Sequence, residues 1–417
     1  MELSHSGNSN ILQMPPEILA LIFSCLPQKY IRTARQVCRI FNDIASPYLI
    51  DAAIAGSETE TLKRLEAIAG HNRFRTSITT LIFSVCSLRC GYATVDDYYN
   101  ELRSRYRYSA EKIPSLEQCE KHWHDYQTIY NDQAERQEGG DDDRRIKDAL
   151  RHMPNIKHLV ISTDSWKLAS HPLNKLWCPS SYKIIEPRHD PPGGPYQSHH
   201  GFIIISLAFI SNKVRLYSLS FPEIRNSSNG LRSRSFSNKT PALFRFLRTA
   251  ALYLHVEIYQ DLSYQRRVQK CLSIAKDLES LEIVSEPTEH QIHSTTLFHA
   301  TWPKLIHLKL QININYSSFV VFCRNHQESL RSLHLQSICL FGGTWGDLIT
   351  VIGGQLRLTD IWLEDLYEGI SDDKWIRLVS PSGPNIYRLC EAEEYLLHGG
   401  INPFKANVLH LVPHWLL

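Results

Sequence analysis

Four times in the second half of this chain an aliphatic residue is followed, three and five residues later, by two more: Leu278/Leu281/Ile283, Leu305/Leu308/Leu310, Leu330/Leu333/Leu335 and Leu358/Ile361/Leu363. Successive copies start 27, 25 and 28 residues apart. Looser copies stand earlier, at Ile78/Leu81/Phe83, Ile156/Leu159/Ile161 and Leu216/Leu219/Phe221, with a further strand expected around residues 251–258. The last two members of each triplet are two apart, so a strand places both on one face. The intervals between the late copies read as helices. Ser318 is placed to cap a helix over 319–325 and Thr344 one over 345–352, while 265–276 carries Val268, Leu272 and Ala275 on one face. No single strand-helix unit can bury its own apolar face, whereas stacked neighbours can, so the pattern predicts a one-dimensional array with a continuous core.

The triplets resemble those of leucine-rich repeats, in which each unit adds one strand to a curved parallel sheet. The implied fold class is α/β: a small helical amino-terminal module followed by an irregular repeat solenoid. Irregularity is visible where a regular repeat carries Asn or Cys at a fixed turn position, because only Asn313 keeps it and Ile338 and Leu366 stand in the next two units. If the leucines face inward, His307, Lys309 and Gln311, then Ser332, His334 and Gln336, then Asp360, Trp362 and Glu364 project from the concave face. That face is the expected binding surface for a target protein. Trp362 is either its aromatic anchor or is tucked under the carboxy-terminal segment.

Between the first two strands the periodicity turns helical. Leu116, Cys119, Trp123, Tyr126 and Tyr130, then Ile146, Leu150 and Met153, define a helical insertion over about 91–153, broken at Gly139-Gly140. Asp141-Asp142-Asp143 reads as a solvated turn. Residues 187–195 with His199-His200 read as a long loop, and 226–239 as a polar, basic connector. The expected division is therefore 11–50 for the amino-terminal module, 51–77 for a helical linker and 78–417 for the repeat-like domain.

Residues 11–50 are too apolar to stay solvated and too short to bury themselves. Pro15, Pro16 and Glu17 suit a helix start. Ile18, Leu19, Ile22, Phe23 and Leu26 follow at helical spacing until Pro27, and Ile31, Ala34, Val37, Cys38 and Phe41 line a second run that Ser46-Pro47 ends. Met14-Pro15-Pro16-Glu17 and Val37-Cys38-Arg39-Ile40-Phe41-Asn42 resemble the opening and closing motifs of the F-box, the adaptor-binding module of SCF-type ubiquitin ligases. Two positions depart from that pattern: Met14 replaces the usual Leu, and Tyr30 stands where a small or acidic residue often caps the second helix. The resemblance implies that Met14, Pro15, Glu17, Ile18, Ile22, Leu26, Ile31, Val37 and Phe41 dock on a Skp-type adaptor, which bridges to a cullin. A non-ligase interaction scaffold is the alternative. The layout is also similar to that of F-box proteins of filamentous fungi, through Leu62-Lys63-Arg64-Leu65-Glu66-Ala67-Ile68, Met153-Pro154-Asn155-Ile156 and the closing Glu394 to Pro403 run.

Other chemistry finds little support. A formal charge of +2 suggests no nucleic-acid partner. The most apolar window, 202–210, is too short to span a membrane. The 10 cysteines form no Cys-x-x-Cys pair and read as reduced thiols, so a cytoplasmic or nuclear location is expected. Phosphate-loop, dinucleotide, nucleophile-elbow and zinc-protease motifs are missing, so neither catalysis nor a cofactor is expected. Cys119, His122 and His124, with His290 and His293 elsewhere, fall short of a recognisable zinc spacing, and no metal is expected.

Overall fold

The computed structural model describes residues 11–56, 59–85, 94–105, 115–162, 197–221, 230–255, 258, 261–285, 294–371, 374–379, 388–404 and 409–413. The chain opens with three short helices, α1 (Pro16–Ser24), α2 (Gln28–Ala34) and α3 (Arg39–Ala45). Strand β1 (Ala52–Gly56), helix α4 (Thr59–Gly70) and strand β2 (Thr80–Ser84) follow, then helices α5 (Val95–Arg105), α6 (Leu116–Glu138) and α7 (Asp141–His152). From there strands and helices alternate: β3 (His158–Ser162), α8 (Gln197–Ser211), β4 (Ser218–Ser220), α9 (Pro241–Phe244), β5 (Thr249–Tyr253), α10 (Leu262–Ile274), β6 (Ser280–Val284) and β7 (His307–Gln311). The closing elements are β8 (Ile314–Asn315), α11 (Tyr316–Asn325), β9 (Ser332–Phe341), α12 (Trp345–Gln355), β10 (Asp360–Ser371), β11 (Lys374–Val379), α13 (Cys390–His398) and β12 (His410–Pro413).

The described strands form one open sheet in chain order, with β8 off the path beside β9. Pairing is parallel from β1 to β10 and antiparallel for β11 and β12. The triplets set the register. Leu281 pairs with Leu308, Leu308 with Leu333 and Leu333 with Ile361, while Ile283, Leu310, Leu335 and Leu363 form the adjacent line. Because side chains alternate across a strand, both lines face the helices, and one unbroken core runs beneath them. Every triplet residue named above is buried.

Several sequence expectations shift. The segment 51–77 is not wholly helical, because β1 opens the sheet there; its Ala-Ala-Ile-Ala-Gly run is small enough to lie between packed layers but carries no triplet. The strand expected near 251–258 lies at Thr249–Tyr253. Thr344 caps α12 as expected, accepting from the Asp347 N–H, but the cap of α11 is Asn315, whose side chain accepts from the Ser318 N–H. His199 and His200 belong to α8, whereas 187–195 lies outside the described residues. Residues 226–229 also lie outside them, and the rest of the 226–239 segment is partly packed, with Ser235 and Phe236 buried.

The insertion is helical, and Gly139-Gly140 does separate two helices, with Gly140 in the left-handed region at φ 64°. The acidic run behind it is the first turn of α7, where carboxylates complement the helix dipole. Asp142 is not solvated: it is buried against Arg136, 2.8 Å away. At the far end, Gly399 and Gly400 turn the chain at φ 76° and 115°, letting the Asn402 side chain donate to the Thr350 hydroxyl at 2.8 Å. The closing Glu394 to Pro403 run thus fastens the last helix to α12.

Candidate protein-docking surfaces

The amino-terminal helices hold a core of their own. Leu19 and Phe23 from α1 meet Ile31, Phe41 and Ala45, with the rings of Phe23 and Phe41 edge to face at 5.2 Å. Pro15 stands at the N-cap of α1 and Pro16 in its first turn, where a missing N–H costs nothing. Pro27 caps α2, so Tyr30 lies inside that helix, exposed, and not at the capping position the sequence suggested. The second apolar run is two helices, not one. Cys38 is extended between them, and its Sγ accepts from the Phe41 N–H at 3.5 Å. Asn42 ties the turn together, accepting from Arg35 Nε at 3.0 Å and from the Ser46 hydroxyl. The Val-Cys-Arg-Ile-Phe-Asn motif is thus, at Cys38, Phe41 and Asn42, a device for turning one helix into the next.

The module meets the rest of the chain through Ile50, which packs against the main core, and through polar and cation-aromatic contacts. Asp43 pairs with Arg73 at 2.5 Å, and the Arg35 guanidinium lies 5.6 Å from the Phe74 ring centroid.

What the small core leaves outside is apolar. Ile18 and Leu21, one turn apart on α1, are exposed, Leu21 by 63%. Val37, exposed by 64%, and Ile40 do the same at the start of α3, and Ile11, Met14, Tyr30 and Tyr48 are also exposed. Among the residues expected to dock, Met14, Pro15, Glu17, Ile18 and Val37 are exposed, and Ile22 and Leu26 are half-buried. Ile31 and Phe41 are buried inside the module. Leu21, Ile40 and Tyr48 are exposed apolar residues that the sequence reading missed. For Leu21 the signal was present, since α1 is apolar nearly all round and a single helix cannot bury two faces.

A second surface is the face of the sheet away from the helices. His307, Lys309, Gln311, His334, Gln336, Asp360, Trp362 and Glu364 all stand on it, as alternation requires, and all are exposed or half-buried. They are largely partnered with one another. Lys309 pairs with Glu282 at 2.7 Å. Asp360 Oδ2 accepts from the Ser332 hydroxyl at 2.7 Å and lies 2.7 Å from His334 Nε2. The hydrogen bond from Ser332, then that from His334, holds the Asp360 carboxyl below its ordinary range. Ser332 itself is buried. Glu364 Oε2 accepts from Gln336 Nε2 and Trp362 Nε1, each at 3.1 Å. Trp362 is not a bare anchor: the Arg388 guanidinium covers its ring at 3.7 Å, held by Glu393, whose carboxylate also accepts from the Leu363 N–H.

Of the zinc candidates, three lie among the described residues. Cys119 is buried among Tyr98 and Tyr126, His124 is exposed, and His290 and His293 lie outside the described residues. No cluster of three or more metal-ligating side chains occurs among the described residues. Nor is any described helix long and apolar enough to cross a membrane.

In comparison with protein families, residues 11–50 match the F-box-like family. The match covers 40 of the 417 residues and coincides with the three-helix module. Nothing among curated proteins matches the chain.

Proposed function

We propose that this chain is a non-catalytic substrate receptor of an SCF-type ubiquitin ligase. The amino-terminal module binds a Skp-type adaptor and, through it, a cullin; the sheet domain holds a protein target of unknown identity. The observation that carries the reading is the coincidence of an F-box-like match with a module that has its own core yet leaves Ile18, Leu21, Val37 and Ile40 in water. In this reading Met14, Pro15, Glu17, Ile18, Ile22, Leu26 and Val37 meet the adaptor, while Ile31 and Phe41 keep the module in the shape that presents them. Parallel strands in chain order, with one leucine register running through them, support a leucine-rich-repeat solenoid. This reading keeps the filamentous-fungal layout to which the sequence is similar. Free thiols at Cys119, Cys271, Cys323 and Cys339, all buried, suit a reducing compartment such as cytosol or nucleus.

The receptor contributes proximity. Holding a target near a ubiquitin-charged partner raises their effective concentration without any reactive group on the scaffold. Tagged chain is expected to co-purify a Skp-type adaptor and a cullin, and Pro15→Ala combined with Ile18→Ala to abolish both. Retention of both partners by that variant would count against the docking residues, and adaptor without cullin against the ligase.

A further inference from the structure

Along the rim where the parallel strands begin, the residue before each strand is fastened to the next. The Lys157 carbonyl accepts from the Tyr217 N–H at 2.8 Å, the Tyr217 carbonyl from Arg248 at 2.9 Å and the Arg248 carbonyl from Glu279 at 2.7 Å. Lys157 and Arg248 therefore flank Tyr217, with their cationic groups 5.8 and 5.5 Å from its ring centroid. Just upstream on the same connections, Arg215 and Arg245 lie 5.4 and 5.5 Å from the ring centroid of Phe246. All four cations are exposed and both rings are half-buried.

Several exposed cations elsewhere on this chain stand against carboxylates, as in Arg73–Asp43, Lys304–Asp277 and Lys309–Glu282. On this rim Lys157, Arg215 and Arg245 have no such partner among the described residues, and Arg248 reaches only Glu279 at 3.9 Å, where the basic stretch ends. Single cations lie on rings elsewhere, as Lys29 does on Tyr30; on this rim four cations on successive strand connections share two rings, which gathers positive charge in one place.

We propose that this rim, built from Lys157, Arg215, Arg245 and Arg248 around Tyr217 and Phe246, is a docking surface for an acidic segment of another protein. Cations held over rings are partly pre-organised, so less side-chain freedom is lost when carboxylates arrive. The three guanidinium groups offer forks that match carboxylate geometry. Lys157 and Arg248 are two strand spacings apart, about 10 Å, which about three residues of extended chain span. Single-stranded nucleic acid fits less well, because the ring faces on which bases would stack already carry the cations. The whole chain, at +2, also lacks the field such binding draws on. This surface is separate from the amino-terminal module and from the open face of the sheet, and it stands whether or not the chain works in a ligase.

Fluorescence anisotropy of the full chain tests it, with three labelled probes: a peptide of alternating Glu and Ser, a Gln-Ser peptide of equal length, and oligo-dT. The Glu-Ser peptide is expected to bind, to weaken with added salt, and to lose about tenfold or more in affinity with Arg215→Glu plus Arg245→Glu. Lys157→Gln, an exposed change that spares the Phe246 contacts, is expected to cost about threefold. Arg324→Gln, an exposed cation on α11, is expected to change nothing. Binding of the Glu-Ser peptide no better than the Gln-Ser peptide, affinity that ignores both rim variants, or tighter binding of oligo-dT with the same residue dependence would each overturn the proposal.

Discussion

Two buried histidines give the molecule an acid-sensitive interior. His326 donates from Nδ1 to the Phe322 carbonyl at 2.8 Å and accepts at Nε2 from the Trp302 N–H at 3.0 Å. That pairing requires the neutral ring, since a second proton would occupy the nitrogen that Trp302 uses. Burial pushes its pKa down, against the pull of the Phe322 bond. Burial, and then the charge of Arg232, pushes His255 down from 6.5 to about 4. Both folded values are depressed, so the unfolded chain takes up protons first as acid is added. The associated stability is present above the unfolded value of 6.5 and is lost as pH falls toward 4. Urea unfolding between about pH 7 and pH 5 is expected to show falling stability, by up to about 3 kcal/mol from His255 once acid is strong enough to titrate it. His255→Gln should flatten the curve; an unchanged slope would contradict the assignment. Burial pushes the Asp142 and Glu368 carboxyls up, and such groups gain stability as pH falls, so the difference between the parent chain and His255→Gln isolates the histidine. The environments that matter here were not legible in the sequence, where these were two of 20 histidines with no shared motif.

At the scale of elements, the leucine lines carry the sheet. Leu333 is fully buried between Leu308 and Ile361, so Leu333→Ala removes contacts from both neighbours and opens a cavity. A loss of about 2–5 kcal/mol is expected in equilibrium unfolding; a cost under about 1 kcal/mol would mean the line is not continuous core. The triplets made these strands legible because an inward residue on a parallel strand must be apolar on every rung. β1 escaped because small residues suffice where it packs, and β11 and β12 because antiparallel pairing returns the chain without a repeat. β9 and β10 also run past their triplets. Ser337 and Asp365 stand side by side in the left-handed region, at φ 48° and 58°, and the Ser337 hydroxyl donates to Asp365 at 2.9 Å. Asp365 also accepts from the Tyr367 hydroxyl at 2.7 Å and pairs with Arg377, which joins β11 to the same cluster. Nothing in local spacing announces a matched pair of kinks on two strands 28 residues apart.

Taken whole, the molecule pairs a small helical module at one end of a long sheet with two polar surfaces on the sheet itself. The module's position in the chain and its apolar character were legible in the sequence; its division into inward and outward faces was not. Periodicity marks Ile18, Leu19, Ile22 and Phe23 alike, and only packing against Ile31 and Phe41 selects Leu19 and Phe23 as core. The consequence is that docking and folding can be separated by mutation. Leu21 and Val37 are the most exposed of the module's helical and turn apolar residues named here, so charging them leaves the five-residue core untouched. Isothermal titration of the full chain with a purified Skp-type adaptor tests the central claim most directly. The account predicts binding with a negative heat-capacity change, as burial of apolar surface requires, and its loss in Leu21→Glu plus Val37→Glu with circular dichroism and thermal unfolding unchanged. Absence of binding by the unmodified chain, or undiminished affinity in the double variant, would contradict it.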